Sequence, residues 1–204
     1  RGPNRDGHYT ALPIRTNWPA EGLRPLWRQP IGGGYGSFAI AGGRAYTIEQ
    51  RREQEAVTAY DVETGRELWA HLYPAFFTEW MGGDGPRSTP EYAEGRVYAL
   101  GATGEFHCLD AATGRVIWHK NILTENGAAN LHWAQSASPL ILEEKLILAP
   151  GGPNGRSVVA YHRGTGEVLW AARSEAAAYS SPWLVTLAEQ PQLLVAVQGR
   201  VLGL

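Results

Sequence analysis

Four side chains with hard oxygen donors, Glu79, Asp84, Asn126 and Asn130, stand in two long stretches at 71–87 and 119–136. Carboxylates and amides of this kind suit calcium, which takes roughly six to eight oxygen ligands. The four have no recognised ligand spacing, however, and Asp84-Gly85 reads equally as a turn with Arg87 paired to a carboxylate. Trp80 and Trp133 lie in the same stretches, with flat faces suited to a planar ligand or to covering a core beside a channel. The candidate ligand-binding group is therefore Glu79, Trp80, Asp84, Arg87, Asn130, Trp133 and Gln135, converging on a polar and aromatic funnel. No catalytic residue and no metal ligand is assigned.

Other chemistry-bearing residues lead to structural readings. His71, His107, His119, His132 and His162 never fall into a metal-ligand spacing such as His-x-x-x-His. His107 alternates with Phe106 and Cys108 on a strand and faces solvent or a neighbouring sheet. The glycines of 32–36 are followed by no lysine and no helical pattern, so they read as a loop entering a strand, not a phosphate cradle. Ser88, Ser138 and Ser181 precede Thr-Pro or Pro without the Gly-x-Ser-x-Gly setting of a hydrolase nucleophile. They are expected to bond backbone near a central channel.

Composition bounds the alternatives. In 204 residues, 44% are hydrophobic and 19% charged, enough for a sizeable core. The 25 Gly, 13 Pro, 8 Trp and 9 Tyr favour short strands and turns over long helices. A net charge of −2, with the 18 basic and 20 acidic residues interspersed, argues against nucleic acid as partner. Arg51-Arg52, the nearest approach to a basic run, reads as a solvated loop before Glu53 and Glu55. No apolar run approaches the roughly 18 residues that span a bilayer. Cys108 is the only cysteine, so no intrachain disulfide forms, and it reads as a small buried hydrophobe. The chain starts at Arg1 without an initiator Met, and the expectation is that the native N-terminus, with any signal peptide, is missing.

The elements that must position these residues come from a repeat. The pattern Ala-x-Asp-x-x-Thr-Gly-x-x-x-Trp occupies 59–69 and, with Cys108 in the alanine slot, 108–118. It returns at 160–170 with His162 for Asp. The structural positions are Asp61, Gly65 and Trp69, then Asp110, Gly114 and Trp118, then Gly166 and Trp170. Gly65, Gly114 and Gly166 fit the left-handed position of a bulged hairpin, and Asp accepts turn N–H groups, so the His162 turn should be held less firmly. Upstream of each copy a turn leads into a β-rich run, at 43–48, 95–100 and 144–149, and before that stands Ser37-Phe38, Ser88-Thr89-Pro90 or Ser138-Pro139; Ser181-Pro182 starts a fourth unit. Four strands thus recur about every 40–50 residues, the signature of a propeller blade.

The expected fold is all-β, a β-propeller of four-stranded antiparallel blades at 35–70, 86–119, 135–171 and 178–204, the last incomplete. Residues 1–34 form an N-terminal segment whose Trp27 belongs to one outer strand. About 3.5–4 blades of a ring of roughly seven or eight are expected, in a fragment of a longer protein.

The repeat resembles the tryptophan-docking motif of the pyrroloquinoline-quinone (PQQ)-like β-propellers, best at 59–69 and 108–118. The stretches 1–7 and 80–90 also resemble bacterial extracytoplasmic members of that family. The resemblance implies a periplasmic or otherwise extracytoplasmic protein. One branch of the family contains PQQ- and calcium-dependent dehydrogenases of alcohols and sugars, many with a vicinal cysteine pair, for which Cys108 offers no partner. Another contains cofactor-free scaffolds such as the propeller lipoprotein of the outer-membrane assembly machinery. Three functions follow. The favoured one is a non-catalytic scaffold or ligand-binding module, without cofactor, taking a protein partner or small ligand on the propeller face. The alternatives are a quinoprotein dehydrogenase, with PQQ and calcium, and a glycan-binding or sensor propeller using Trp80 and Trp133.

Overall fold

The computed structural model describes Pro13 and residues 16–204. The 1–7 stretch that resembles family members lies outside the described residues. Runs of Val, Ile, Tyr and Ala between glycine-bearing turns form antiparallel meanders, each strand hydrogen-bonded to the next in sequence. The first sheet comprises β1 (Ala39–Ala41), β2 (Arg44–Arg51), β3 (Gln54–Asp61) and β4 (Glu67–Pro74). The second comprises β5 (Glu91–Ala93), β6 (Arg96–Leu100), β7 (Glu105–Asp110) and β8 (Val116–Asn121). The third comprises β9 (Leu140–Leu142), β10 (Lys145–Leu148), β11 (Val158–His162) and β12 (Val168–Ala172). A three-stranded sheet, β13 (Trp183–Leu187), β14 (Gln190–Val197) and β15 (Arg200–Gly203), follows. The fold is all-β, a succession of propeller blades.

Some local expectations need revision. The outer strand does not end at its tryptophan: β4 continues five residues beyond Trp69, to Pro74, and β8 continues to Asn121. The connection after β8 contains a short helix, α1 (Ile122–Asn126). Asn121 caps it by accepting from the amides of Leu123 and Thr124, and Gly127, at φ 63°, ends it. Arg51 is no solvated loop residue. Its guanidinium is bonded to Glu67 at 2.5 Å and to the buried Glu49 carboxylate at 2.5 Å, and these bonds, that to Glu67 foremost, push its pKa up.

The core lies between sheets. Tyr46, Ile48, Val57 and Tyr73 of the first blade pack on Val97, Ala99 and Leu109 of the second. Phe106, Cys108 and Ile122 pack on Leu146, Val159 and Tyr161 of the third. Leu140, Ile147 and Val158 face Val195 and Leu202 of the fourth sheet. Cys108 is fully buried, and burial pushes its thiol up to about 11.

Three recurrent bonds join the blades. Trp69 Nε1 donates to the Ala111 carbonyl at 3.1 Å, and its indole covers Gly114 so closely that an added Cβ would sit 2.6 Å from the ring. Trp118 meets Arg163 and Gly166 in the same way, and Trp27 meets Val62 and Gly65. Tyr46 and Tyr98 send their hydroxyls to those same carbonyls of Ala111 and Arg163, each at 3.3 Å. On the inner side, the amides of Ser37, Thr89 and Ser138 donate to the hydroxyls of Thr89, Ser138 and Ser181, one blade further along. A hydroxyl two residues ahead of the next inner strand thus closes each of these joints.

Candidate functional site

The connections 75–90 and 122–139 leave the outer strand of one blade and enter the inner strand of the next. In the first, a carboxylate and a guanidinium shape the loop. Glu79 accepts from the amides of Met81, at 2.7 Å, and Gly82, turning the chain tightly at the tip. Arg87 pairs with Glu79 at 3.3 Å, donates to the carbonyls of Gly83 and Gly85, and lies over the rings of Phe77, at 4.9 Å, and Tyr35, at 5.3 Å. The Tyr35 hydroxyl in turn reaches the Gly82 carbonyl at 2.5 Å. A planar guanidinium suits this combination of fork and stacking in a way an ammonium does not. Both charged side chains are about nine-tenths buried, 10% and 9% exposed. Trp80 and Met81, at the tip, are 87% and 64% exposed. Asp84 is exposed beside them.

Asn130, Trp133 and Gln135 make a separate group in the second connection. Asn130 Nδ2 and the Gln135 amide both donate to the Ala102 carbonyl at 3.1 Å, and Gln135 Nε2 reaches Asn130 Oδ1 at 3.4 Å. Gln135 is buried, while Trp133 is half-exposed with its ring 5.6 Å from that of Tyr179. The structure therefore joins Glu79 to Arg87 and Asn130 to Gln135, each pair within its own connection.

The donors considered for calcium do not form a shell. Asn126 is buried and spends its amide on the Ile122 carbonyl, at 2.8 Å, and the Tyr161 hydroxyl, at 2.7 Å. Glu79 is committed to its own loop, and Asn130 to Ala102 and Leu131. Among the described residues no three His, Cys, Asp or Glu side chains are arranged to hold a metal ion.

A further cluster escaped the reading by sequence spacing. His71 and Tyr73 on β4 face His107 on β7 and His119 on β8, lining a groove of about 430 Å³ with Pro74, Glu105 and Val116. His107 is 4% exposed, and its ring lies 4.2 Å from Tyr73, 4.5 Å from His119 and 4.8 Å from His71 between centroids. Burial, aided by the neighbouring imidazoles, pulls His107 down to about 3, and burial also lowers His71. Glu55, fully buried behind them, accepts from the Tyr73 hydroxyl at 2.5 Å and the Ala102 amide at 2.9 Å; burial raises its carboxyl pKa and pushes the Tyr73 phenol well up. Glu105 bonds His119 at 2.5 Å and Asn121 at 2.8 Å. The signal was present in the repeat register: the residue before the Ala/Cys slot pairs across the strands with the residue after Trp, which sets His107 opposite His119.

The family model described as outer membrane protein assembly factor BamB matches residues 16–188. Comparison with the curated proteins gives no match. Among solved structures, BamB from Moraxella catarrhalis is 19% identical with a TM-score of 0.53, over 85% of this chain and 46% of that one. The quinohemoprotein alcohol dehydrogenase ADHIIG from Pseudomonas putida HK5 is 15% identical with a TM-score of 0.57, over 82% and 29%. A europium-containing methanol dehydrogenase is 20% identical with a TM-score of 0.52, over 72% and 26%. The present chain thus spans less than half the length of each, and likenesses at these identities concern the fold alone.

Proposed function

Because the chain belongs to the PQQ-like β-propeller family, through the model described as outer membrane protein assembly factor BamB, we propose that it is an interaction scaffold of the cell envelope. In this reading it works outside the cytoplasm, does no chemistry of its own, and holds a protein partner on the face that carries the blade-to-blade connections. The observation that carries the reading is the Arg87 clamp. It holds a loop in shape while leaving Trp80 and Met81 outside. A large aromatic presented on a pre-ordered loop loses little freedom on binding, which is what an anchor of a protein interface needs. Glu79 and Arg87, meanwhile, are turned inward on each other and are not offered to a substrate.

Binding of a protein partner is tested by placing a photoreactive phenylalanine analogue at position 80 in cells. A discrete envelope-protein adduct, absent when the analogue sits at Glu63 in the opposite turn, is expected. Binding of glycans that Trp80→Ala or Trp133→Ala abolishes, with no such adduct, would replace this reading with sugar recognition. Titration with PQQ and calcium checks the remaining alternative; a changed quinone spectrum together with dye-linked alcohol oxidation would overturn the scaffold.

A further inference from the structure

Two seams in this molecule have the same architecture and opposite chemistry. Between the second and third blades, the positions equivalent to His107 and His119 hold Val159 and Ala171, paired across β11 and β12. In place of His71 stands Lys120, whose ammonium lies over the Tyr161 ring at 4.5 Å and bonds Glu125 at 2.9 Å. Between the first and second blades stand three imidazoles. His71 Nε2 and His107 Nδ1 are buried there without a hydrogen-bond partner. Buried polar atoms of this kind are uncommon and carry a cost.

We infer that the first seam is an acid-responsive joint: protonation of His71 and His107 loosens β4 from β7 and β8 while the second seam stays closed. The inference goes beyond the scaffold reading and requires no partner.

Among the described residues no carboxylate is bonded to His71 or His107 to balance an added proton. β3 contributes Glu55, β4 contributes His71 and Tyr73, β7 contributes Glu105 and His107, and β8 contributes His119. Arg87 acts on Glu55 from the connection. Glu55 is bonded to Tyr73 and Ala102, and Glu105 to His119 and Asn121, so neither carboxylate is bonded to His71 or His107. Two imidazolium rings with centroids 4.8 Å apart would also repel each other.

The sign follows from where the protons go. In an opened seam the imidazoles return to their ordinary value of 6.5, whereas in the closed seam both are lowered, His107 to about 3. The closed form therefore binds fewer protons, and its stability is full above pH 6.5 and falls as pH drops below it. Glu55 works the other way. Its carboxyl pKa is raised above 4.5 in the closed form, so proton uptake there sets in above 4.5, partly offsets the loss, and is complete below 4.5. The loss from His107 sets in below 6.5 and runs down to about 3, and the Glu55 offset falls inside that window.

Hydrogen exchange by mass spectrometry on the whole chain, corrected for intrinsic rates, reads both seams at once. Between neutral pH and about pH 5, peptides from β4 and β7 should lose protection on the order of tenfold. Peptides from β11 and β12 should hold theirs. The double variant His71→Phe, His107→Phe should show no such loss in β4 and β7. His71→Gln, His107→Gln serves the same purpose if the phenylalanine pair misfolds. Equal loss at both seams, or an unchanged loss in the non-titrating variant, would overturn the proposal.

Discussion

Trp69 shows how one side chain can carry a joint. Its ring covers Gly114, its N–H reaches the Ala111 carbonyl, and its far face approaches Tyr46 at 6.0 Å between centroids. Trp69→Ala removes all three and leaves a cavity between sheets, an expected loss of about 3–5 kcal/mol by urea denaturation. Gly114→Ala attacks the same joint from the other side. At φ +74° with the indole in the way, alanine should cost at least about 1 kcal/mol. Both residues were legible in the sequence because every blade needs the same joint, so the pair recurs with the period. Arg87 was legible only as a residue type. Its stacking on Tyr35 and Phe77 involves a ring fifty residues upstream, and no periodicity points to it. Arg87→Lys keeps the charge but loses the planar fork. Faster amide exchange at Met81 and Gly82, without a change in the global unfolding midpoint, is the expected outcome.

Among the elements, the three hairpin turns differ by one acceptor. Asp61 Oδ1 takes the amides of Glu63 and Thr64 and the Thr64 hydroxyl, the last at 2.7 Å, and Asp110 repeats the set with Ala112 and Thr113. These bonds, the threonine hydroxyls foremost, hold both carboxyls below their ordinary value of 3.8. The turns' contribution is accordingly present above 3.8 and lost as pH falls through the lowered values. A carboxyl-detected NMR titration should find both groups below 3.8; either one at or above it would contradict the turn bonding. In the third turn His162 Nδ1 accepts from the Thr165 amide at 3.2 Å and its hydroxyl stands 3.3 Å away. An imidazole nitrogen thus stands in for the carboxylate at longer range, with only one backbone amide served. His162→Asp should slow exchange of the Thr165 amide by roughly three- to tenfold. The substitution was visible in the sequence, whereas the stand-in geometry was not, since it depends on which ring nitrogen faces the turn.

For the whole molecule, the apolar layers and the inner hydroxyl bonds set how blades add up. Ser138 accepts from Thr89 and donates its own amide to Ser181, so it links three consecutive blades. Ser138→Ala leaves the Thr89 amide without that acceptor, and thermal or urea unfolding should report a loss of about 1–3 kcal/mol. The succession of sheets was legible because strand length, turn residues and the tryptophan period all agree. The candidate site was legible only in part. Loop positions locate Glu79 and Arg87, but the partner each side chain chooses is set by long-range packing that no short motif encodes. The blade joints also have a direction. The indole of Trp27 waits for Gly65, that of Trp69 for Gly114, that of Trp118 for Gly166, and each inner amide waits for a hydroxyl still further along the chain. On the ribosome, then, each of the first three blades emerges before the residues that lock it. Ordering is therefore expected to sweep from the first of these blades toward the last, as each arriving turn fastens its predecessor.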